Sequence, residues 1–129
     1  MRARVLRLAS AVAGLFVLAP LALGGNLAQG AAPGVWSVSR ATWYGPGLYG
    51  RRTSCGQTLT LSLQGVAHRT LPCGTLVEFE WHGRHIVVPV VDRGPYATGV
   101  VWDLTEAACR QLSTPDRPRC ITGDIAWRL

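Results

Sequence analysis

Three side chains in the middle of the chain are candidates for proton transfer: Asp92, Asp103 and His68. Asp92 directly follows the apolar run 87–91 and precedes a Gly-Pro turn, so it stands where a buried strand ends. A carboxyl in such a place can be desolvated enough to keep a proton near neutral pH and act as a general acid. The structural alternative is that Asp92 accepts hydrogen bonds from turn N–H groups or pairs with Arg93.

Asp103 and His68 each have a structural and a functional interpretation. Asp103 lies three residues before Glu106, so it could cap the following helix or support Thr105 in doing so. It could also line a groove as a second carboxylate beside Asp92, and the two roles are compatible. A lone histidine such as His68 is either a structural hydrogen-bonding group or a catalytic residue.

The elements that must position these residues are mostly short strands. Residues 76–81 alternate in polarity, residues 82–84 form a turn, and residues 85–91 return as the partner strand of a hairpin. Thr105 is a natural N-cap for a helix that ends at Leu112, and residues 120–129 predict a closing strand. Many short strands, one convincing helix and no repeats predict a small closed β-barrel.

The first thirty residues are typical of a secretory signal peptide. Three arginines precede an apolar segment at residues 8–23, and small residues follow at Ala28 and Gly30. A retained anchor is the alternative, but the segment is short for a membrane span and contains a proline. We expect cleavage near Gly30, a mobile segment at residues 31–39 and one domain at residues 40–129. The mature protein is then secreted, associated with the cell wall and free of the membrane.

The charge of the chain favours a weakly anionic partner. The formal net charge is +6, and removal of the three leader arginines leaves +3. A mild positive excess suits an anionic cell wall, and no basic run with interleaved aromatic residues indicates nucleic-acid binding. We therefore expect no nucleic-acid partner.

Four cysteines, all after the leader, indicate an oxidising compartment. Three pairings are possible, and local loop closure favours Cys55–Cys73 with Cys109–Cys120. By the chain-entropy model each such bridge contributes about 3 kcal/mol. Because the spacings contain no CxxC pair and no Cys-His cluster, we expect neither a metal site nor a cofactor.

Four segments together resemble the rare lipoprotein A (RlpA)-like domain. They occur in the order and at the spacing of that family, from about residue 40 to 129, and are residues 41–47, 66–72, 91–96 and 102–105. The resemblance implies a mainly β fold: a six-stranded double-psi β-barrel with one or two short helices, related to expansins and barwin-like proteins.

The resemblance also implies the site. The active-site His and Asp of RlpA fall on His68 and Asp92, and Asp103 matches an Asp that expansins keep in their groove. Gln57 stands where the family often has Glu, and an amide cannot transfer a proton at neutral pH. We expect six side chains to bind substrate, some of them by stacking aromatic faces on sugar rings. They are Thr42, Trp43, Tyr44, Gln57, Arg93 and Tyr96.

The activity implied by the resemblance is lytic transglycosylation of peptidoglycan glycan strands. The C6 hydroxyl of muramic acid is an intramolecular nucleophile, so a single acid/base residue suffices. We assign that role to Asp92, with His68 orienting it or the substrate and Asp103 stabilising developing positive charge. The alternatives are a non-catalytic, expansin-like polysaccharide-binding or wall-loosening module, and a secreted inhibitor or toxin held together by disulfides. We expect a monomer in each case.

Overall fold

The structure is a computed structural model that describes residues 34–129. The expected signal peptide at residues 1–30 lies outside the described residues. The described part contains six strands and one helix. They are β1 Ser37–Tyr44, β2 Val66–Ala67, β3 Leu76–Trp81, β4 Arg84–Asp92, β5 Trp102–Thr105, α1 Glu106–Leu112 and β6 Gly123–Arg128.

The six strands close into a barrel in the order β1-β5-β2-β4-β3-β6. Two neighbouring pairs, β1 with β5 and β2 with β4, are parallel, and the other four are antiparallel. Closure leaves no unpaired sheet edge between the first and last strands. The expected mainly β, double-psi barrel with one short helix is confirmed.

The barrel interior is filled by alternate residues of the strands, as the pleat of a β-strand requires. In β3 the side chains of Val77 and Phe79 are fully buried, whereas Leu76 is exposed. Trp102 of β5 lies at the centre, with its ring 5.2 Å from that of Phe79 and 4.9 Å from that of Trp127. Burial of side chains of this size stabilises the fold by about 1.5–3 kcal/mol each.

The helix begins where the sequence predicts. Thr105 Oγ1 accepts hydrogen bonds from the N–H groups of Ala108, at 3.3 Å, and Gly65, at 3.2 Å. The hydroxyl therefore caps α1 and ties it to the residue before β2. Asp103 does not cap the helix, because its carboxylate accepts a hydrogen bond from Thr42 on a neighbouring strand.

Two boundaries differ from the sequence-based expectation. The segment expected to be mobile at residues 31–39 includes the start of β1, because Ser37 and the next two residues pair with β6. Residues 31–33 lie outside the described part. The closing strand begins at Gly123 and not at Cys120, because Cys120 is joined to Cys109 of α1 and the chain reaches β6 only after that link.

Both disulfides of the described part follow the local pairing. Cys55 is joined to Cys73, and Cys109 to Cys120. The first connects the loop between β1 and β2 with the loop that leads into β3. The second connects α1 with the segment before β6.

Candidate functional site

The two candidate carboxylates lie in one row across four strands of the barrel. Thr42 of β1 is opposite Asp103 of β5, Asp103 is opposite Ala67 of β2, and Ala67 is opposite Asp92 of β4. The register between β2 and β4 shifts between Val66 and Ala67, so the Ala67–Asp92 pair lies at a β-bulge. Two strand spacings separate the Asp Cα atoms by about 10 Å, and the charge of Asp92 raises the pKa of Asp103, as expected for neighbouring carboxylates. The small side chain of Ala67 lies between them. We call these four residues the carboxylate row.

Backbone N–H groups hold the Asp92 carboxylate. Oδ1 accepts hydrogen bonds from the N–H of Ser54, at 2.8 Å, and from the N–H of Arg93, at 2.9 Å. The Arg93 guanidinium points elsewhere, to the carbonyl oxygen of His68 and to Cys73 Sγ, each at 3.4 Å. None of the ion pairs within 4.0 Å in the described part includes Asp92. The oxygen that the backbone anchors is therefore Oδ1, and the Tyr44 hydroxyl faces the same carboxylate.

Asp103 has a different environment from Asp92. Its Oδ1 accepts a hydrogen bond from Thr42 Oγ1 at 2.8 Å. Burial raises the pKa of Asp103, the Thr42 hydrogen bond opposes this, and the charge of Asp92 raises the pKa further. Asp103 therefore keeps a proton to higher pH than an ordinary Asp.

Tyr44 lies beside the carboxylate row. Its hydroxyl is buried and has no partner that meets hydrogen-bond geometry among the described residues. Burial raises the pKa of Tyr44 most, followed by the charges of Asp92 and Asp103 and by the approach of the hydroxyl to the Asp92 side chain. The group is therefore a neutral O–H donor facing two acceptors, which suits it to bind a ligand hydroxyl or a carboxylate.

His68 is joined to Asp92 through the backbone, because its N–H donates to the Asp92 carbonyl oxygen at 3.2 Å. Its ring lies on the indole of Trp102, with 4.6 Å between centroids. Nδ1 accepts from the N–H groups of Thr70, at 3.2 Å, and Leu71, at 3.0 Å. Within residues 34–129, no hydrogen bond joins the imidazole to either carboxylate.

The protonation state of His68 follows from these contacts. Burial lowers its pKa, and the nearby charges of Arg69 and Arg93 lower it further. The imidazole is therefore neutral at pH 7, and because Nδ1 accepts two hydrogen bonds, the proton is on Nε2. His68 can donate a hydrogen bond from Nε2, but it is not a cationic acid at neutral pH.

The remaining expected substrate-binding residues are distributed over several surfaces. Trp43 faces away from Thr42 and Tyr44, because neighbouring residues of a strand point to opposite faces. It lines a separate cavity of about 340 Å³ whose other lining residues are Glu106, Arg110, Pro118, Arg119 and Cys120. Tyr96 is 80% exposed. Gln57 accepts a hydrogen bond from Thr53 Oγ1 at 3.0 Å within the loop that also carries Ser54.

Two residues near the site were not found from the sequence. Ser54 acts through its backbone N–H, which leaves no signal in a pattern of side chains. Arg69 donates to the carbonyl oxygens of Pro95, at 2.6 Å, Ala97, at 3.2 Å, and Val100, at 2.9 Å, and so fixes the loop that carries Tyr96. Only the fold brings Arg69 to these carbonyls.

Within residues 34–129, no cluster of three or more His, Cys, Asp or Glu side chains could hold a metal ion. No helix in that range is both long enough and apolar enough to span a bilayer.

A closed six-stranded barrel with this strand order defines a double-psi β-barrel protein. The family described as "Lytic transglycolase" matches residues 37–122, and the chain belongs to that family. A protein of Synechocystis sp. named "Probable endolytic peptidoglycan transglycosylase RlpA" is 45% identical over 74 residues, which are 56% of this chain and 23% of that protein. The chain thus spans about a quarter of that relative's length.

Two solved structures share the fold. "Streptomyces papain inhibitor (SPI)" is 30% identical with a TM-score of 0.55, and the match covers 74% of this chain and 94% of the inhibitor. An expansin of Clavibacter michiganensis is 20% identical with a TM-score of 0.54, and the match covers 73% of this chain and 50% of the expansin. At this identity the expansin supports the fold alone.

Proposed function

We propose that the chain acts outside the cytoplasm on the cell wall, where it cleaves peptidoglycan glycan strands by lytic transglycosylation. The observation that carries the proposal is the carboxylate row, in which Asp92 and Asp103 flank Ala67 with the Tyr44 hydroxyl beside them. The similarity to proteins named as endolytic peptidoglycan transglycosylases supports it. The two disulfides suit an oxidising compartment.

The proposed reaction needs no water and no metal. The bond between the anomeric carbon of muramic acid and the leaving sugar oxygen breaks, and the C6 hydroxyl oxygen of the same muramic acid bonds to that carbon. The hydroxyl proton is removed, and the leaving oxygen receives one. Because the nucleophile belongs to the substrate, its approach carries little additional entropy cost.

Asp92 is the general acid/base in this proposal. Two backbone N–H groups fix Oδ1, so the second carboxylate oxygen can exchange a proton without the side chain moving. Asp103, when ionised, stabilises the positive charge that develops on the sugar ring. Its raised pKa makes it the competing candidate for the proton donor, and the pH profile of variants distinguishes the two assignments.

The test is digestion of glycan strands that lack stem peptides, with mass spectrometry of the products. We expect 1,6-anhydromuramyl ends from the wild type, a loss of about 10²-fold or more for Asp92→Asn, and a smaller loss for Asp103→Asn. The matched control is Asp124→Asn, which changes an exposed Asp of β6 outside the row. Absence of anhydro ends, under conditions where a known transglycosylase produces them, contradicts the proposal.

The same variants test the non-catalytic alternative. A polysaccharide-binding module should retain strands in a pull-down and release no products. If Asp92→Asn equals the wild type in both binding and cell separation, then Asp92 has no catalytic role and the binding module is the better description.

A second candidate function is inhibition of a papain-like cysteine protease. It is favoured by the papain inhibitor, because that match covers nearly the whole inhibitor at 30% identity. Titration of papain with the protein is the test, and stoichiometric loss of protease activity is the expected result. Inhibition by Asp92→Asn equal to that by the wild type would place the inhibitory surface away from the carboxylate row. An absence of inhibition at a large excess of protein excludes this function for papain.

A further inference from the structure

We propose that the Cys55–Cys73 disulfide positions Asp92, and that reduction of this bridge lowers the activity of the carboxylate row reversibly. The expected loss of activity on reduction rests on the proposed function, whereas the positioning of Asp92 rests on contacts in the structure alone.

The loop that carries Cys55 is a small hairpin whose tip contacts the end of β4. The N–H of Gly50 donates to the Leu59 carbonyl at 2.9 Å, and the N–H of Leu59 donates to the Arg51 carbonyl at 2.8 Å. At the tip, the N–H of Ser54 donates to Asp92 Oδ1 at 2.8 Å. The tip therefore supplies one of the two hydrogen bonds that hold the carboxylate.

The bridge fastens this tip to the strand that carries Asp92. Cys55 donates its N–H to the Val91 carbonyl at 3.3 Å, and Gly74, the residue after Cys73, donates to the Val90 carbonyl at 2.8 Å. Cys55 and the residue that follows Cys73 are thus hydrogen-bonded to consecutive residues of β4. The bridge closes a small ring that includes the end of the strand.

The second donor to Asp92 also adjoins the bridge. Arg93 donates its backbone N–H to Oδ1, and its Nη2 lies 3.4 Å from Cys73 Sγ. Both groups that hold Asp92 Oδ1 therefore belong to residues that neighbour or contact the disulfide. A shift of a few tenths of an ångström at the bridge reaches Asp92 through two separate hydrogen bonds.

The bridge is accessible to a reductant, and the other disulfide is less so. Cys73 is exposed and Cys55 is half-buried. In the other disulfide Cys120 is half-buried, and Cys109 is fully buried with its Sγ accepting a hydrogen bond from the N–H of Ile121 at 3.1 Å. That disulfide therefore has no exposed cysteine. Because thiol–disulfide exchange requires access to a sulfur atom, an external dithiol reduces Cys55–Cys73 first.

The chemical step is exchange with an external dithiol. One thiolate of the dithiol attacks Cys73 Sγ, the bond to Cys55 breaks, and Cys55 leaves as a thiolate that takes a proton. The second thiolate of the dithiol then displaces Cys73 from the mixed disulfide. The dithiol loses two electrons and becomes a disulfide, and the protein gains two thiols. The hairpin tip is then held by hydrogen bonds alone, and the entropy that the cross-link had removed is regained.

The first experiment measures the positioning directly. The protein is treated with limiting dithiothreitol, the free thiols are alkylated, and the labelled cysteines are identified by mass spectrometry. We expect labels on Cys55 and Cys73 before any appear on Cys109 and Cys120. In the reduced protein we expect amide hydrogen exchange at Ser54 at least about tenfold faster, with core amides of β5 unchanged. Unchanged exchange at Ser54, or first labelling of Cys109 and Cys120, overturns the inference.

The second experiment measures the activity. Release of anhydromuramyl ends should fall about tenfold or more on reduction, recover on reoxidation, and leave strand binding within about twofold. Cys55→Ser combined with Cys73→Ser should have the reduced activity and no response to thiols. Equal activity of that variant and the oxidised wild type overturns the inference. If the oxidised wild type releases no anhydro ends, the proposed function fails, and the exchange at Ser54 still decides the positioning.

Discussion

The two carboxylates of the row differ in what surrounds them. Asp92 is held by two backbone N–H groups, whereas Asp103 accepts a hydrogen bond from a single hydroxyl and has its pKa raised by burial. A pair of acids in unlike environments is how one protein surface provides both a proton donor and a charged group at the same pH.

For Asp103, the raised pKa predicts a cost in stability at neutral pH. The folded state favours the protonated form of Asp103. The contribution of this group to stability is therefore fully present below the ordinary pKa of Asp and is lost as the pH rises through the raised pKa. Asp103→Asn should therefore raise the free energy of unfolding at pH 7, relative to wild type, and lose this advantage towards pH 3. Urea unfolding at several pH values measures it. A difference that grows as the pH falls contradicts the prediction, and Asp124→Asn is the control.

For His68, two variants distinguish a structural role from a functional one. His68→Ala leaves the N–H groups of Thr70 and Leu71 without their acceptor and should cost about 1–3 kcal/mol. His68→Asn places an amide oxygen near the position of Nδ1 and should recover most of that loss. If Nε2–H orients substrate, both variants lose activity. Urea unfolding and the product assay together give the result, and full activity in His68→Asn would mean that the imidazole is structural.

At the scale of elements, the sequence predicts those strands and helix ends whose own residues carry a recognisable pattern. The hairpin of β3 and β4 and the cap at Thr105 follow from alternation and from capping chemistry. β2 contains only two residues and has no pattern of its own, so only the closed barrel defines it. The expectation that Thr42, Trp43 and Tyr44 bind substrate together did not take strand alternation into account. Because the pleat places neighbouring residues on opposite faces, Trp43 points away from the other two.

The approach between the start of β2 and the end of β4 depends on Gly65. A Cβ added at Gly65 would lie 2.4 Å from Val91 Cγ2, and Val91 is only 1% exposed, so its side chain has little space into which to move. Gly65→Ala should therefore cost about 1–3 kcal/mol by overpacking. Chemical denaturation measures the loss. Val91→Ala in the same chain should recover part of it, so a purely additive double variant contradicts the clash.

At the scale of the whole molecule, the barrel is one closed unit from β1 to β6, and we propose that residues 1–30 are removed on export. Intact mass spectrometry of protein secreted by a bacterial host should give a chain that begins near Ala31. Ala28→Arg, which puts a large charged residue where the peptidase requires a small one, should leave the leader attached. A secreted wild-type protein of full mass contradicts the proposal.

The hydrogen bond from Ser54 to Asp92 has a consequence for how this protein tolerates substitution. The donor is a main-chain N–H, which every amino acid except proline supplies. A saturation library at position 54 should therefore show nearly uniform activity with a single gap at proline. Position 54 can thus supply an indispensable backbone N–H while its side chain varies freely. A comparison of side chains among variants will therefore not identify it as part of the site.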